Sequence, residues 1–146
     1  MMTGRFVIAA SLNWLVAAVM FGVGVRYLVS TQIMPHHLRI LGVAWTDLTP
    51  PTRTLMLTLM KGTGLVGICT AVALGVLLAI PFRRQEAWSY WAVLLVGLTA
   101  LVPMLIGAIR VRMATGVAVP WWPHVVLLVA LGLAFLLAGD FVRTGE

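Results

Sequence analysis

Four apolar runs, each long enough to cross a bilayer, take up most of this chain. A helix needs about 20 apolar residues to span the hydrocarbon core. The runs are Phe6 to Val25, Gly62 to Ile80, Trp91 to Ile109 and Val125 to Val142. Cations close them: Arg26, then Arg83-Arg84 just past Pro81-Phe82, then Arg110 and Arg143. With 62% hydrophobic and only 10% charged residues, 146 residues cannot bury that much apolar surface in a water-soluble core. A soluble enzyme, a nucleic-acid-binding domain and a disordered tail are excluded, despite a net charge of +6. The expected fold is all-α: one membrane domain, a four-transmembrane-helix bundle with helices at about 6–26, 55–80, 88–110 and 123–142. An even number of spans places both termini on the same side. A long, partly structured connection joins helices one and two.

The first run is too long for the apolar region of a secretory signal and lacks a small-x-small cleavage site after it, so it reads as a retained helix. Arg83-Arg84-Gln85-Glu86 is a tight polar turn, which makes helices two and three antiparallel neighbours. The 27–60 connection is long enough to carry structure or function. Within it, Met34-Pro35-His36-His37-Leu38-Arg39 reads as a break and a short turn, and Asp47-Leu48-Thr49-Pro50-Pro51-Thr52 as a turn before helix two. Leu55 to Met60 extends that helix beyond the membrane surface. Trp45, Trp88, Trp91, Trp121 and Trp122 fall where interfacial aromatic belts form.

Small residues four apart permit close helix packing. Thr63, Gly67, Ala71, Gly75 and Ala79 form such a row in helix two; Ala130, Ala134 and Ala138 form one in helix four; Ala18 and Gly22 form one in helix one. Pro103 predicts a kink in helix three with a freed carbonyl near Thr99. Asn13 is expected to hydrogen-bond a neighbouring helix, and Asp140 to pair with Arg143. Cys69, a single thiol in an apolar run, reads as a small apolar residue.

Charge is distributed unevenly between the two sides. The side with the termini carries four cations against three anions; the loop side carries Arg26, Arg39, Arg53, Lys61, Arg110 and Arg112 against Asp47 alone. Helix-end cations commonly snorkel to lipid phosphates. Here the shortage of internal counter-ions points further, to an anion from outside the chain: a lipid phosphate, a carboxylate or an acidic partner segment. The candidate ligand-binding residues are Arg26, His36, His37, Arg39, Lys61, Arg110 and His124. Lys61 is the best single probe, lying about two turns, or roughly 9 Å, into a helix that begins at Leu55. The GxxxxGK[ST] spacing of a phosphate loop is absent. The positive-inside rule puts the loop side in the cytoplasm when all Lys and Arg are counted, and the other side there when Arg26, Lys61 and Arg110 are set aside as site residues, so orientation stays open.

The three histidines invite a metal or haem reading, but adjacent residues on a helix point about 100° apart and no carboxylate-rich surround accompanies them. No metal or other cofactor is expected, and no catalytic residue is assigned. There is no HExxH, no CxxC and no acidic pair within the membrane, so proton-pump and thiol-redox chemistry have no residues to use.

Four spans, Met-Pro-His-His after helix one, Leu-Met-Lys-Gly-Thr-Gly opening helix two, Pro-Phe-Arg-Arg before helix three and Pro-Trp-Trp-Pro before helix four together resemble small bacterial four-helix membrane proteins, with a layout similar to the DoxX-like group. The resemblance implies a fold and a bacterial inner-membrane location. The lone cysteine departs from the thiol-bearing redox members. The leading functional expectation is a non-enzymatic bundle that binds a lipid or amphipathic anion, or serves as an accessory subunit, through its cationic face. A membrane enzyme using histidine acid–base chemistry on a lipid-like substrate and a small oligomeric transporter are the alternatives. The expected partners are membrane lipids, an anionic small molecule or acidic segment, and further copies of the chain, with no nucleic acid.

Overall fold

A computed structural model describes residues 4–139. Among them the fold is helical, without strands: α1 (Gly4–Val29), a short α2 (Pro35–Leu41), a 3-10 turn (Trp45–Asp47), α3 (Pro50–Leu77), α4 (Ala87–Thr115) and α5 (Trp122–Ala138). Three helices, Gly4–Val29, Pro50–Phe82 (α3 with the turn that continues it) and Ala87–Thr115, are long and apolar enough to span a membrane, with mean hydropathies of 2.1, 2.5 and 2.5. The fourth apolar helix, α5, is shorter at 17 residues, about 26 Å at 1.5 Å per residue. This marks a membrane protein. The Asp140–Arg143 pair and the last residues expected in helix four lie outside the described residues.

Local chemistry sets each boundary. Met34 is extended, as residues before proline are, and Pro35 opens α2. Gly42, at φ 67°, closes α2 by donating its N–H to the Leu38 carbonyl at 3.0 Å. The 27–60 connection thus holds a true helix where a break and short turn were expected. Pro50 and Pro51 start α3 five residues before Leu55, because proline's fixed φ suits the first turn and its missing N–H costs nothing there. Gly116, at φ 70°, ends α4 beyond Arg112. α3 also overruns its expected end: Leu78–Phe82 forms a π-helical turn around Pro81, whose carbonyl accepts the Glu86 N–H at 3.0 Å. α4 runs through Pro103 without a break, and one turn earlier the Thr99 hydroxyl donates to Leu95 and Val96 carbonyls at 2.9 and 3.0 Å.

α1 packs against α3 and α5, and α4 against α5 and α3. The α1–α3 seam is antiparallel: Gly24 meets Gly64, Met20 meets Gly67 and Trp14 meets Gly75, with Phe6 stacked on Phe82 at 5.2 Å. α4 and α5 are also antiparallel, with Gly97 against Leu131, Tyr90 stacked on Phe135 at 4.2 Å, and the Tyr90 hydroxyl donating to the Phe135 carbonyl at 2.5 Å. Leu74, Leu101, Leu131 and Val16 fill the centre. Large apolar side chains such as Leu59, Leu95, Val126 and Leu136 face outward, which suits a lipid solvent and would be costly in water.

The small-residue rows are corrected in part. Ala130, Ala134 and Ala138 are buried, as are Gly67 and Ala71. Ala18, Gly22 and Ala79 face outward, Thr63 is exposed on the cavity wall, and Gly24 and Gly64 make the close crossing instead. Asn13 is buried, but its Oδ1 finds no partner among the described residues, contrary to the expected interhelical hydrogen bond.

Candidate binding cavity

At the end of the bundle where α2 sits, the four long helices stop filling the space between them. A cavity of about 840 Å³ opens there, within the range typical of ligand pockets. The other end is closed by the Phe6–Phe82 stack and the Tyr90–Phe135 pair. The cause lies in the side chains. Glycines 24, 64, 67 and 107 carry no bulk into the space, and α2 caps it from outside rather than plugging it.

The walls are apolar and deformable. Five of the chain's eight methionines (Met20, Met34, Met56, Met60 and Met104) line them. Methionine's unbranched, polarisable side chain adapts to irregular contents. Beside the cavity, Ile33, Met34 and Met60 form a second small core, with Tyr27, Leu38 and Trp45 packed on it, which fixes the 27–60 connection in place. Trp45 therefore packs inward rather than sitting in an interfacial belt, while Trp88, Trp91, Trp121 and Trp122 are exposed.

The titratable groups in the lining are Arg26 and Tyr27 from α1, His36 and His37 from α2, and His124 from the first turn of α5. The His36 and His37 rings lie 4.2 Å apart at 64°, close enough to share one region of the cavity even though they are sequence neighbours. Burial lowers the His36 pKa from the ordinary 6.5, and the positive fields of His37, Arg39 and Arg26 lower it further. Burial lowers that of His37 as well. Both imidazoles are neutral at pH 7. The Nδ1 atom of His124 is buried and without a partner among the described residues.

Four of the seven candidate residues come together here: Arg26, His36, His37 and His124. Arg39, Lys61 and Arg110 do not line the cavity. The reason is helical phase. The cavity face of α3 runs through Met56, Leu59, Met60, Thr63, Gly64 and Gly67, and at 100° per residue Lys61 lies about 130° around the helix from the middle of that face. Arg110 is turned similarly from the face that carries Met104, Gly107, Ala108 and Val111. Lys61 also lies 11 residues from Pro50, further into its helix than the expected two turns. Three cations ending three helices at similar depth do not converge.

Arg53 acts within the chain. Its Nη2 donates to the Thr46 carbonyl and its guanidinium sits 5.8 Å from the Trp45 ring centroid. Asp47 accepts from the Thr46 hydroxyl at 3.3 Å. Arg26, Arg39, Lys61, Arg110 and Arg112 form no ion pair among the described residues. Sequence reasoning missed Tyr27 and the methionine wall. The concentration of methionine near the loop-side helix ends was the available signal for the latter. Among the described residues no three His, Cys, Asp or Glu side chains cluster closely enough to hold a metal ion. No family model matches this chain, and no curated protein or solved structure matches it significantly.

Proposed function

We propose that this protein spans the membrane as a four-helix bundle, with both termini on one side, and binds an amphipathic anion in the cavity at the opposite end. The tail lies between α1, α3 and α4, and the head meets Arg26 and the imidazoles of His36, His37 and His124. One observation carries the reading: a large apolar cavity has a guanidinium and three imidazoles in its lining and no carboxylate.

The energetics single out the head group. Moving a tail from lipid to an apolar wall gains little, because lipid chains are already as apolar as leucine. Selectivity must come from the charge. A charge-assisted hydrogen bond contributes about 1.5–3 kcal/mol, and Arg26 offers a planar fork suited to phosphate, sulfonate or carboxylate. Arg26→Met should therefore weaken binding roughly 10- to 100-fold. Lys61→Met, on the other face of α3, should leave it unchanged. The measurement is affinity for decyl sulfonate in phosphatidylcholine nanodiscs. Equal weakening by the two substitutions would sink the cavity assignment and return the role to a diffuse cationic surface.

The enzyme reading is less well supported. Imidazoles are present, but no carboxylate or thiol lines the cavity with them, and the Thr63 hydroxyl donates to the Leu59 carbonyl at 3.0 Å. A transport path would have to cross Leu74, Leu101, Leu131 and Val16, all fully buried.

A further inference from the structure

Resting on that binding reading, we propose that the cavity takes up its anion together with protons, so that it loads at acidic pH and releases as the pH rises. The argument begins with which groups face the cavity from each element. α1 brings Arg26 and Tyr27, α2 brings His36 and His37, and α5 brings His124, whereas the lining parts of α3 and α4 bring no titratable side chain. Arg39, one turn along α2 and outside the lining, adds positive field at His36. Arginine keeps its charge throughout and tyrosine titrates near 10. Every lining group that changes charge between pH 5 and pH 8 is therefore an imidazole, and every change is towards positive.

Without an anion, these imidazoles resist protonation. Two cationic rings 4.2 Å apart repel, the field of Arg26 opposes charge on His36, and no acidic side chain lines the cavity to offset this. An anionic head supplies the missing countercharge. It favours the protonated form of each ring it approaches, and by linkage each added proton favours the anion equally. His124 contributes a buried ring nitrogen with no partner among the described residues, available to meet the head directly. Burial lowers the pKa of both His36 and His37, and positive neighbours lower that of His36 further, so the charge these two rings offer a ligand is gained on binding rather than fixed beforehand.

The size of the effect follows from the linkage. One imidazole whose pKa rises by one unit on binding changes affinity about tenfold across its titration. The test uses decyl sulfonate, whose charge is constant over the range, and decanol as its neutral counterpart, each bound to the full chain in phosphatidylcholine nanodiscs between pH 5 and pH 8. Decyl sulfonate should bind at least about tenfold more tightly at pH 5, decanol equally at both ends. His36→Gln/His37→Gln/His124→Gln should flatten the dependence, while Arg26→Met should weaken binding at every pH and keep the slope. Sulfonate binding with no pH dependence overturns proton coupling and leaves the site standing. A slope that survives the triple substitution, or one shared by decanol, also overturns it. No sulfonate binding at any pH overturns both the site and the coupling.

Discussion

Gly64→Ala tests whether the α1–α3 seam is built on backbone contact. A Cβ on Gly64 would lie 2.7 Å from the Gly24 carbonyl oxygen and 2.8 Å from the Tyr27 Cβ, where ordinary contact begins at 3.4 Å. Neither neighbour can swing away, because one is main chain and the other a first side-chain carbon. The helices must part by about 0.7 Å, and a gap of that order forfeits a quarter to a half of the dispersion energy across the contact. Overpacking of this kind costs about 1–3 kcal/mol. Alanine's better helix propensity returns at most about 1 kcal/mol, so a net loss of about 1–2 kcal/mol is expected. Gly22, two residues from Gly24, is the internal control, since a Cβ there meets nothing within 4 Å; Gly22→Ala should be neutral or slightly stabilising. Gly24→Ala meets the Gly64 carbonyl at 2.6 Å and should resemble Gly64→Ala. The double variant should cost less than the sum, because helices already parted accommodate the second methyl. Reversible unfolding in mixed micelles, followed by circular dichroism, reads all four. A Gly64→Ala protein as stable as the parent, or a Gly22→Ala protein equally damaged, would refute the close-crossing argument.

Two further outcomes follow from groups the fold leaves unpaired. Asn13→Leu keeps the branching and heavy-atom count while removing an Oδ1 that has no partner among the described residues; stability should hold or rise, by up to about 1–3 kcal/mol, and a loss of more than about 1 kcal/mol on that scale in the same assay would mean the amide is held by a bond that matters. For pH, the folded chain holds the His36 and His37 pKa values below 6.5, so the unfolded chain binds more protons as pH falls through that value. Ligand-free stability should then be flat at alkaline pH and decline on acidification, decyl sulfonate should offset the decline, and a thermal midpoint independent of pH between about 5 and 8 would contradict it.

Much of the architecture was legible from hydropathy alone, because a chain in lipid must satisfy its backbone polar groups within each span and uninterrupted apolar runs leave few alternatives to helix. Two breaks were legible too: Pro35 and Pro50 act through local φ rules that need no partner. Where the sequence erred, the deciding quantity was rotational phase. The spacing that gives Thr63 and Gly67 a shared face also gives Gly64 and Gly67 one, and only the docking of α1 against α3 selects between them. Lys61 lies outside the cavity lining for the same reason, one residue beyond the buried Met60 and turned away from the cavity.

Membrane character and the course of the helices could be read residue by residue, because transfer free energies and local backbone rules need no tertiary partner. That Arg26, His36, His37 and His124 line one cavity while Arg39, Lys61 and Arg110 do not emerges only from helix docking. Residues nearly a hundred positions apart in the chain share a wall only after helices dock, and docking in lipid turns on which glycines let two backbones touch.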